Sequence, residues 1–281
     1  MINLPEVTLV CVDTRTPERA VQAITRCTAG LRFARVLLFT ENGRLSGALP
    51  DGVETVELAL DSVAAYSAFM LRGLLPQIHT SHLLVVQWDG YVLDAAQWDA
   101  EFLRYDYIGA LFRDQTGLLA VGNGGFSLRS RRLLQALLDP AMTISHPEDT
   151  CICHANRPRL EQQHGIRFAP PELAARFAFE RVEPTGPTFG FHGLFNFHRV
   201  MSPASLRSWL ADLPYAMACG LDGHDLCRSL IRQGQLDAAR TLWRKRWRAG
   251  LRDRRTLRLR LLLGWATWGQ RGSTKSDPTP L

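Results

Sequence analysis

Near its C-terminus, the sequence lacks a hydrophobic stretch that could cross a membrane. The longest run there without a charged residue covers residues 261–270, whereas a membrane-spanning helix needs about twenty apolar residues. Residues 1–7 also lack the basic stretch followed by an apolar one that is typical of a secretory signal. We therefore expect a cytoplasmic protein.

Paired cysteine spacing is absent too. The cluster Cys151-x-Cys153-His154 has no second pair of metal ligands, so we interpret it as part of a helix and not as a zinc site. Because a reducing compartment disfavours disulfides, we expect six free thiols. They are Cys11, Cys27, Cys151, Cys153, Cys219 and Cys227.

Acidic residues are scarce in one segment. Residues 240–260 contain ten lysines and arginines but a single acid, Asp253, which gives this segment a local charge of +9. The net charge of the whole chain is +6, so the remainder is slightly acidic. A basic partner-binding surface is therefore expected in the C-terminal part, and the main body lacks the charge pattern of a nucleic-acid-binding protein.

The glycine motif of dinucleotide-binding dehydrogenases is also missing. Residues 122–125 do not have the spacing G-x-G-x-x-G, and no acid follows the next helix at the expected interval, which excludes a Rossmann dehydrogenase. Three glycines in four residues indicate a backbone that approaches something closely. Asn123, Gly124 and Gly125 could line a sugar pocket, although a tight turn explains the same residues.

Strands and helices alternate along the first hundred residues. Apolar runs predict strands at residues 7–12, 35–40, 53–58 and 82–87, and helical spacing predicts helices at residues 18–29, 66–78 and 148–164. This order predicts an α/β fold with a mainly parallel sheet flanked by helices. We divide the chain into a domain at residues 1–200, a basic amphipathic helical region at 201–270 and a disordered tail at 271–281.

The ends of the predicted strands carry candidate ligand-binding residues. Parallel sheets bind ligands beyond the carboxyl ends of their strands, where Thr14, Arg15 and Asp89 lie. The carboxylate of Asp89 could meet a hard cation or a sugar hydroxyl. An aspartate at a strand end is also a common turn residue, so both interpretations stay open.

Three further residues could carry chemistry. Glu148 and Asp149 open a predicted helix, where carboxylates are stabilised in any protein, but one of them could also act as a general base on an acceptor hydroxyl. His192 lies between aromatic residues and glycines. It could bind a divalent metal such as Mn²⁺, or it could be a hydrogen-bonded core histidine.

These residues, in this order, resemble a known family. Over residues 7–196 the chain is similar to a bacterial family of domains of unknown function classed with the GT-A-fold glycosyltransferases, and to galactosyltransferase-like GT-A enzymes. The matching motifs are Thr14-Arg15, Phe39-Thr40, Gln87-x-Asp89-Gly90, residues 122–130, Pro147-Glu148-Asp149, residues 165–169 and residues 189–193. The resemblance implies a GT-A-like fold.

The resemblance also implies roles for the matching positions. Asp149, or alternatively Glu148, would be the general base, and Asp89 with His192 would bind a divalent cation, Mn²⁺ or Mg²⁺. A full D-x-D metal motif is absent, because the neighbouring acids are replaced by Gln87 and Tyr91, so metal dependence is left open. A UDP- or GDP-linked sugar donor would be bound by Thr14, Arg15, Thr40, Gln87 and Asp89.

We therefore predict a glycosyltransferase, of the hexosyltransferase kind, that acts on a bacterial surface glycan or glycolipid. A single base on the acceptor side predicts inversion at the anomeric carbon. The alternative is a non-catalytic module that binds a glycan or a nucleotide on the same scaffold.

The basic C-terminal region allows three interpretations. Arg240, Arg244 and Arg248 share one helical stripe beside Trp243 and Trp247, and residues 257–263 then place Arg258 and Arg260 among leucines, ahead of Trp265 and Trp268. This helix could be solvated, with its tryptophans packed on the main domain, or it could dock on the anionic cytoplasmic face of the inner membrane. RNA binding is the least favoured because no RNA-binding motif accompanies the charge, so we predict no nucleic-acid partner.

Overall fold

The structure is a computed structural model that describes residues 1–113 and 119–273. The chain divides into two compact units, Met1–His192 and Gly193–Leu281. The division predicted after residue 200 was drawn where the helical spacing begins, and it stays a prediction. The tail predicted to be disordered from residue 271 is helical as far as Ser273, and the rest of it lies outside the described residues.

The first unit contains eleven strands among its described residues. They are β1 Ile2–Val12, β2 Leu31–Thr40, β3 Val53–Glu57, β4 His82–Val86, β5 Gly90–Val92, β6 Tyr107–Gly109, β7 Leu111–Arg113, β8 Leu119–Val121, β9 Phe126–Ser130, β10 Ala178–Phe179 and β11 Gly190–His192. Six of them form the main sheet, in the order β3-β2-β1-β4-β9-β6. The first four strands in this order run parallel, and β9 runs antiparallel to both of its neighbours.

The helices of the first unit are α1 Pro17–Thr28, α2 Val63–Ala68, α3 Arg131–Ala136, α4 Glu148–Thr150, α5 Arg157–His164 and α6 Pro171–Phe177. The predicted α/β class, with a mainly parallel sheet flanked by helices, is confirmed. Helix α1 begins at a proline, which has no amide hydrogen to leave unpaired in the first turn, and it buries Ala20, Ile24 and Cys27 at the spacing that predicted it.

The core lies on both faces of the main sheet. In β1 every residue from Val7 to Val12 is buried, although successive side chains point to opposite faces. On one face Val10, Phe39 and Val85 pack together with Met70 and Leu134. Continuous burial explains why the strands could be recognised as apolar runs.

Two predicted helices are interrupted. The helix predicted at residues 66–78 is α2 followed by a wide helical turn at Phe69–Gly73 and a 3₁₀ turn at Leu75–Gln77, where Pro76 cannot donate a backbone hydrogen bond. The helix predicted at residues 148–164 breaks between α4 and α5. There the amide of Asn156 donates to the carbonyls of Thr143 and Cys151, at 2.8 and 3.1 Å, and holds the chain in its turn.

The second unit is helical throughout its named elements. They are α7 Phe197–Val200, α8 Pro203–Ala211, α9 Tyr215–Cys219, α10 Leu221–Arg232, α11 Leu236–Arg248 and α12 Arg254–Ser273. Arg246 is buried between three of these helices: its guanidinium donates to the carbonyls of Ala218 and Gly220, at 2.8 and 3.0 Å, and to the hydroxyl of Thr256 at 3.3 Å. Part of the basic segment therefore holds the unit together.

Among the helices that the structure describes, none combines the length and the apolar character needed to span a bilayer.

Candidate functional site

The register of a second, smaller sheet assembles the candidate site. Strand β5 pairs antiparallel with β11, so that Gly90 lies opposite His192. Strand β10 pairs parallel with β11, with Phe179 opposite Phe191, and the chain continues directly into Glu180. Asp89, just before β5, and Glu180, just after β10, are thereby brought to the two sides of one histidine.

The imidazole of His192 is the centre of a polar cluster. Its Nε2 lies 3.3 Å from Oδ1 of Asp89 and 3.1 Å from Oε1 of Gln87. Its Nδ1 lies 3.0 Å from Nδ2 of Asn123 and 3.7 Å from Oε1 of Glu180. Four of these five residues were selected from the sequence, and the structure brings them together.

The two carboxylates determine the charge of this histidine. Burial by itself would lower the pKa of His192, but the charge of Asp89 and the hydrogen bonds to Asp89 and Glu180 raise this pKa well above its ordinary value. When Nδ1 of His192 carries a proton, it donates a hydrogen bond, and the amide nitrogen of Asn123 that faces it cannot accept one. Rotating the amide of Asn123 by 180° supplies its oxygen, at the expense of a 3.3 Å hydrogen bond from the backbone of Phe126.

This arrangement does not fit a resident metal ion. A histidine binds a metal through a neutral ring nitrogen, whereas both nitrogens of His192 face carboxylates, and the pair Asp89–His192 forms an ion pair at 3.3 Å. Across residues 1–113 and 119–273 no group of three or more histidine, cysteine, aspartate or glutamate side chains could hold a metal ion.

The glycine motif permits the close packing of this cluster. Asn123 adopts a left-handed backbone conformation, with φ of 60°, which asparagine tolerates better than most residues. A Cβ atom at Gly124 would collide with the carboxylate of Glu148, and one at Gly125 would collide with the imidazole of His192. The close approach that the sequence predicts is therefore an approach to neighbouring side chains of the same chain.

Asp149 lies next to the glycine motif at the start of α4. Its Oδ2 accepts a hydrogen bond from the amide of Gly124 at 3.1 Å, and its Oδ1 accepts one from the amide of Thr150 at 2.7 Å. Asp149, Asn123 and Glu180 line the same cavity of about 200 Å³. These hydrogen bonds fix the carboxylate at the wall of the cavity and leave it further lone pairs with which to accept a proton.

Glu148 has a different environment from its neighbour. Its Oε1 lies 3.2 Å from Nη2 of Arg129, and the two side chains are 7% and 0% exposed. Arg129 also donates to the carbonyl of Gly124 at 3.2 Å and to the hydroxyl of Ser127 at 3.0 Å. The buried ion pair therefore packs against the backbone of the glycine motif at Gly124.

The candidate donor residues lie at the same edge of the main sheet. The carboxylate of Asp13 accepts hydrogen bonds from the amides of Arg15 and Thr16, at 2.8 and 2.7 Å, and so shapes the loop after β1 that holds Thr14. Arg15 is exposed. Thr40, at the end of β2, is buried, and among the described residues its hydroxyl has no hydrogen-bond partner.

The buried thiol of Cys11, in β1, is affected by the charges of both Asp13 and Asp89. Burial, together with the charges of Asp13, Cys27 and Asp89, raises the pKa of Cys11 well above its ordinary value. Asp13, after β1, and Asp89, after β4, therefore both lie close enough to Cys11 to raise the pKa of its thiol.

A second cavity adjoins the first. It has a volume of about 380 Å³ and shares Phe112, Cys153 and His154 with the smaller one. The rings of Phe112 and His154 meet edge to face, with centroids 4.6 Å apart. Beyond them this cavity is lined by the polar side chains of α5, among them Glu161 and Gln162.

Sequence reasoning did not select Glu180. The residue follows β10, a strand of two residues, which is too short to recognise from periodicity. Glu180 could have been found from its position directly after a buried apolar segment, because Asp89 was selected for the same kind of position.

Comparisons with known proteins give a family without an assigned function. Residues 53–192 match a family model described as a protein of unknown function (DUF5672). No curated protein matches the chain.

Solved structures with similarity to the chain include two at low identity. One is the bifunctional IspDF from Campylobacter jejuni, at 11% identity and a TM-score of 0.37, covering 52% of this chain and 46% of that one. The chain thus spans less than half of that protein's length. The other is a glycosyltransferase involved in the glycosylation of the major capsid of PBCV-1, at 13% identity and a TM-score of 0.41, covering 66% of this chain and 91% of that one.

Proposed function

We propose that the protein is a nucleotide-sugar-dependent glycosyltransferase that transfers a hexose, with inversion, to a bacterial surface glycan or glycolipid. One observation carries the proposal. Acidic side chains from three separate segments meet at the candidate site: Asp89 and Glu180 contact His192, and Glu180 lines one cavity together with Asp149. The resemblance of the motifs to the GT-A glycosyltransferases supplies the reaction class.

The donor nucleotide would bind beyond β1, β2 and β4, at Thr14, Arg15, Thr40, Gln87 and Asp89. The hydroxyl of Thr40, buried without a hydrogen-bond partner among the described residues, offers a donor and an acceptor to a ribose or a base. The exposed guanidinium of Arg15 would meet the diphosphate, where negative charge develops as the leaving group departs. Asp89 and the His192 imidazolium would orient the sugar.

The transfer needs one proton acceptor on the acceptor side. In our proposal Asp149 removes the proton from an acceptor hydroxyl while the oxygen of that hydroxyl forms a bond to the anomeric carbon. The bond from this carbon to the phosphate oxygen breaks, and the nucleoside diphosphate leaves. Glu148 is the weaker candidate because its carboxylate is buried in the ion pair with Arg129.

The acceptor would occupy the adjoining cavity beside α5. Its lining combines the ring of Phe112 with hydrogen-bonding side chains such as those of His154 and Gln162, a combination that suits a glycan. For an acceptor carried on a lipid, the protein would work at the cytoplasmic face of the inner membrane. We propose that its basic C-terminal helices contact the anionic surface there.

The test is donor hydrolysis by the full chain, followed as released nucleoside diphosphate across UDP- and GDP-linked hexoses, with and without Mn²⁺. We expect Asp149→Asn to keep donor affinity, measured by calorimetry, and to lower turnover by about two orders of magnitude or more, because the base is lost. Near-normal turnover would remove Asp149 from this role.

Two companion variants sharpen the assignment. Glu180→Gln probes the other carboxylate of the same cavity, and a larger loss there than in Asp149→Asn would transfer the role of base to Glu180. Glu54→Gln changes an exposed carboxylate outside both cavities that pairs with Arg35 at 2.6 Å. It is the matched control, and its donor hydrolysis should equal that of the unaltered chain.

The second candidate function is a non-catalytic module that binds a glycan or a nucleotide. The ion pair between Asp89 and His192 favours it, because both side chains engage one another at 3.3 Å. Binding of a nucleotide-sugar without any turnover, with or without Mn²⁺, would support this function and contradict the transferase.

A further inference from the structure

Helix α12 exposes an apolar stripe. Leu257, Leu261, Trp265 and Trp268 are 43%, 62%, 71% and 81% exposed, and they follow one another at helical spacing. The helix is already anchored on another side, where Thr256, Leu259 and Leu263 are buried. The exposed stripe is therefore a second apolar face that the packing of the unit does not use.

Arginines extend this stripe toward the start of the helix. Arg254 and Arg258 are exposed and precede Leu261 by seven and three residues, so they continue the same line of side chains. Helix α12 contains no acidic residue. Leucine and tryptophan on one face with arginine beside them are typical of helices that lie in a membrane interface.

The tryptophans of α11 are held by contacts inside the unit, although Trp243 also lines a cavity of about 460 Å³ together with Trp268. The rings of Trp243 and Trp247 stack with centroids 5.4 Å apart, and the indole nitrogen of Trp243 donates to the carbonyl of Thr256 at 3.2 Å. The guanidinium of Arg252 lies 3.4 Å from the centroid of Trp247. Packing inside the unit accounts for the positions of these two residues, so of the two basic, tryptophan-containing segments that the sequence marks, the docking surface lies on the second.

We infer that α12 docks in the plane of an anionic lipid bilayer, with Leu261, Trp265 and Trp268 inserted at the boundary of the acyl chains. Arg254 and Arg258 contact the lipid phosphates. Charge complementarity favours a lipid surface over a second copy of the chain. A second copy would place another segment with a charge of +9 against residues 240–260, and the two segments would repel each other. Anionic headgroups would instead neutralise this charge. The inference does not rest on the transferase reaction.

Flotation of the full chain with vesicles tests the inference. The vesicles contain phosphatidylcholine with 30 mol% phosphatidylglycerol, or phosphatidylcholine alone. We expect binding to the anionic vesicles that weakens with added salt, and at least about tenfold weaker binding to the neutral ones. No binding to the anionic vesicles would overturn the inference.

Two pairs of variants separate the apolar contribution from the charge. We expect Trp265→Ser with Trp268→Ser to lower the partition coefficient at least about tenfold, while Tyr215→Ser with Leu221→Ser, at other exposed apolar positions, leaves it unchanged. Equal binding of both double variants would refute docking through α12.

Arg254→Gln with Arg258→Gln should weaken binding to the anionic vesicles. Arg207→Gln with Arg232→Gln removes the same charge elsewhere in the unit and should have the smaller effect. Equal effects would show attraction by net charge alone and contradict a defined docking face. Concentration-dependent dimerisation that is lost in the tryptophan variant, without vesicle binding, would assign the stripe to a second copy instead.

Discussion

A single histidine shows how the site depends on charge. His192 has Asp89 on one ring nitrogen and Glu180 near the other, at 3.3 and 3.7 Å. An imidazolium between two carboxylates brings three charged groups together next to the cavity that also contains Asp149. In this state the histidine is a hydrogen-bond donor and a positive charge, so its chemistry resembles that of an arginine more than that of a metal ligand.

The raised pKa of His192 predicts a pH dependence of stability. The folded-state pKa lies well above the ordinary value of about 6.5, so the folded state binds the proton more tightly than the unfolded one. This contribution to the free energy of unfolding is complete below about pH 6.5 and is lost as the pH rises through the folded-state pKa. We expect urea unfolding between pH 6 and 8 to show this decline in the unaltered chain.

His192→Gln is the control for this prediction. It removes the titrating group, so the decline of the unfolding free energy between pH 6 and 8 should be smaller. A chemical shift of the His192 ring that titrates with an ordinary pKa would contradict the assignment of an imidazolium.

At the scale of elements, the site is built by strand ends and by two adjacent acids with different roles. Glu148 and Asp149 both open α4, yet Glu148 pairs with Arg129 of β9 while Asp149 faces the cavity. Side chains of adjacent residues in a helix point about 100° apart, so Glu148 can pair with a buried arginine while Asp149 lines the cavity.

The buried pair predicts a large stability difference between two similar substitutions. Glu148→Gln leaves the guanidinium of Arg129 buried without its counter-ion, and we expect it to lower the free energy of unfolding by about 3–5 kcal/mol. Glu41→Gln, which breaks the exposed pair with Arg44, should cost less than about 1 kcal/mol. Chemical denaturation of both variants measures the difference, and equal losses would show that the Arg129–Glu148 pair is solvated.

Strands were easier to predict than the contacts between them. The runs that became β1, β2 and β4 are apolar because both faces of the sheet are covered, which is visible in the sequence. The pairing of β5 with β11, which brings Gly90 opposite His192, joins segments about a hundred residues apart and depends on register. The role of Glu180 follows from that register and was therefore missed.

At the scale of the molecule, charge and chemistry lie in separate parts of the chain. The candidate site belongs to the unit Met1–His192, whereas the basic segment of residues 240–260 belongs to Gly193–Leu281. A transferase that works on acceptors held at a membrane needs both a reaction centre and an attachment to the surface. In our proposal these two tasks fall to two units that each have their own buried core.

Thiol reactivity tests the packing of both units in one measurement. All six cysteines are free, and five of them are buried; Cys219 alone is partly exposed. Burial raises the pKa of Cys27, Cys153 and Cys227 to about 12, which leaves almost no reactive thiolate at pH 8.

We therefore expect Ellman's reagent to modify one thiol rapidly in the native chain and the others at least about a hundredfold more slowly, since their reaction waits for opening of the core. In guanidinium chloride without reductant all six should react. Cys219→Ser should remove the rapid phase and leave the slow ones. Fewer than six reactive thiols in denaturant would reveal a disulfide, and a second rapid thiol would identify, by its position, the unit whose core is open in solution.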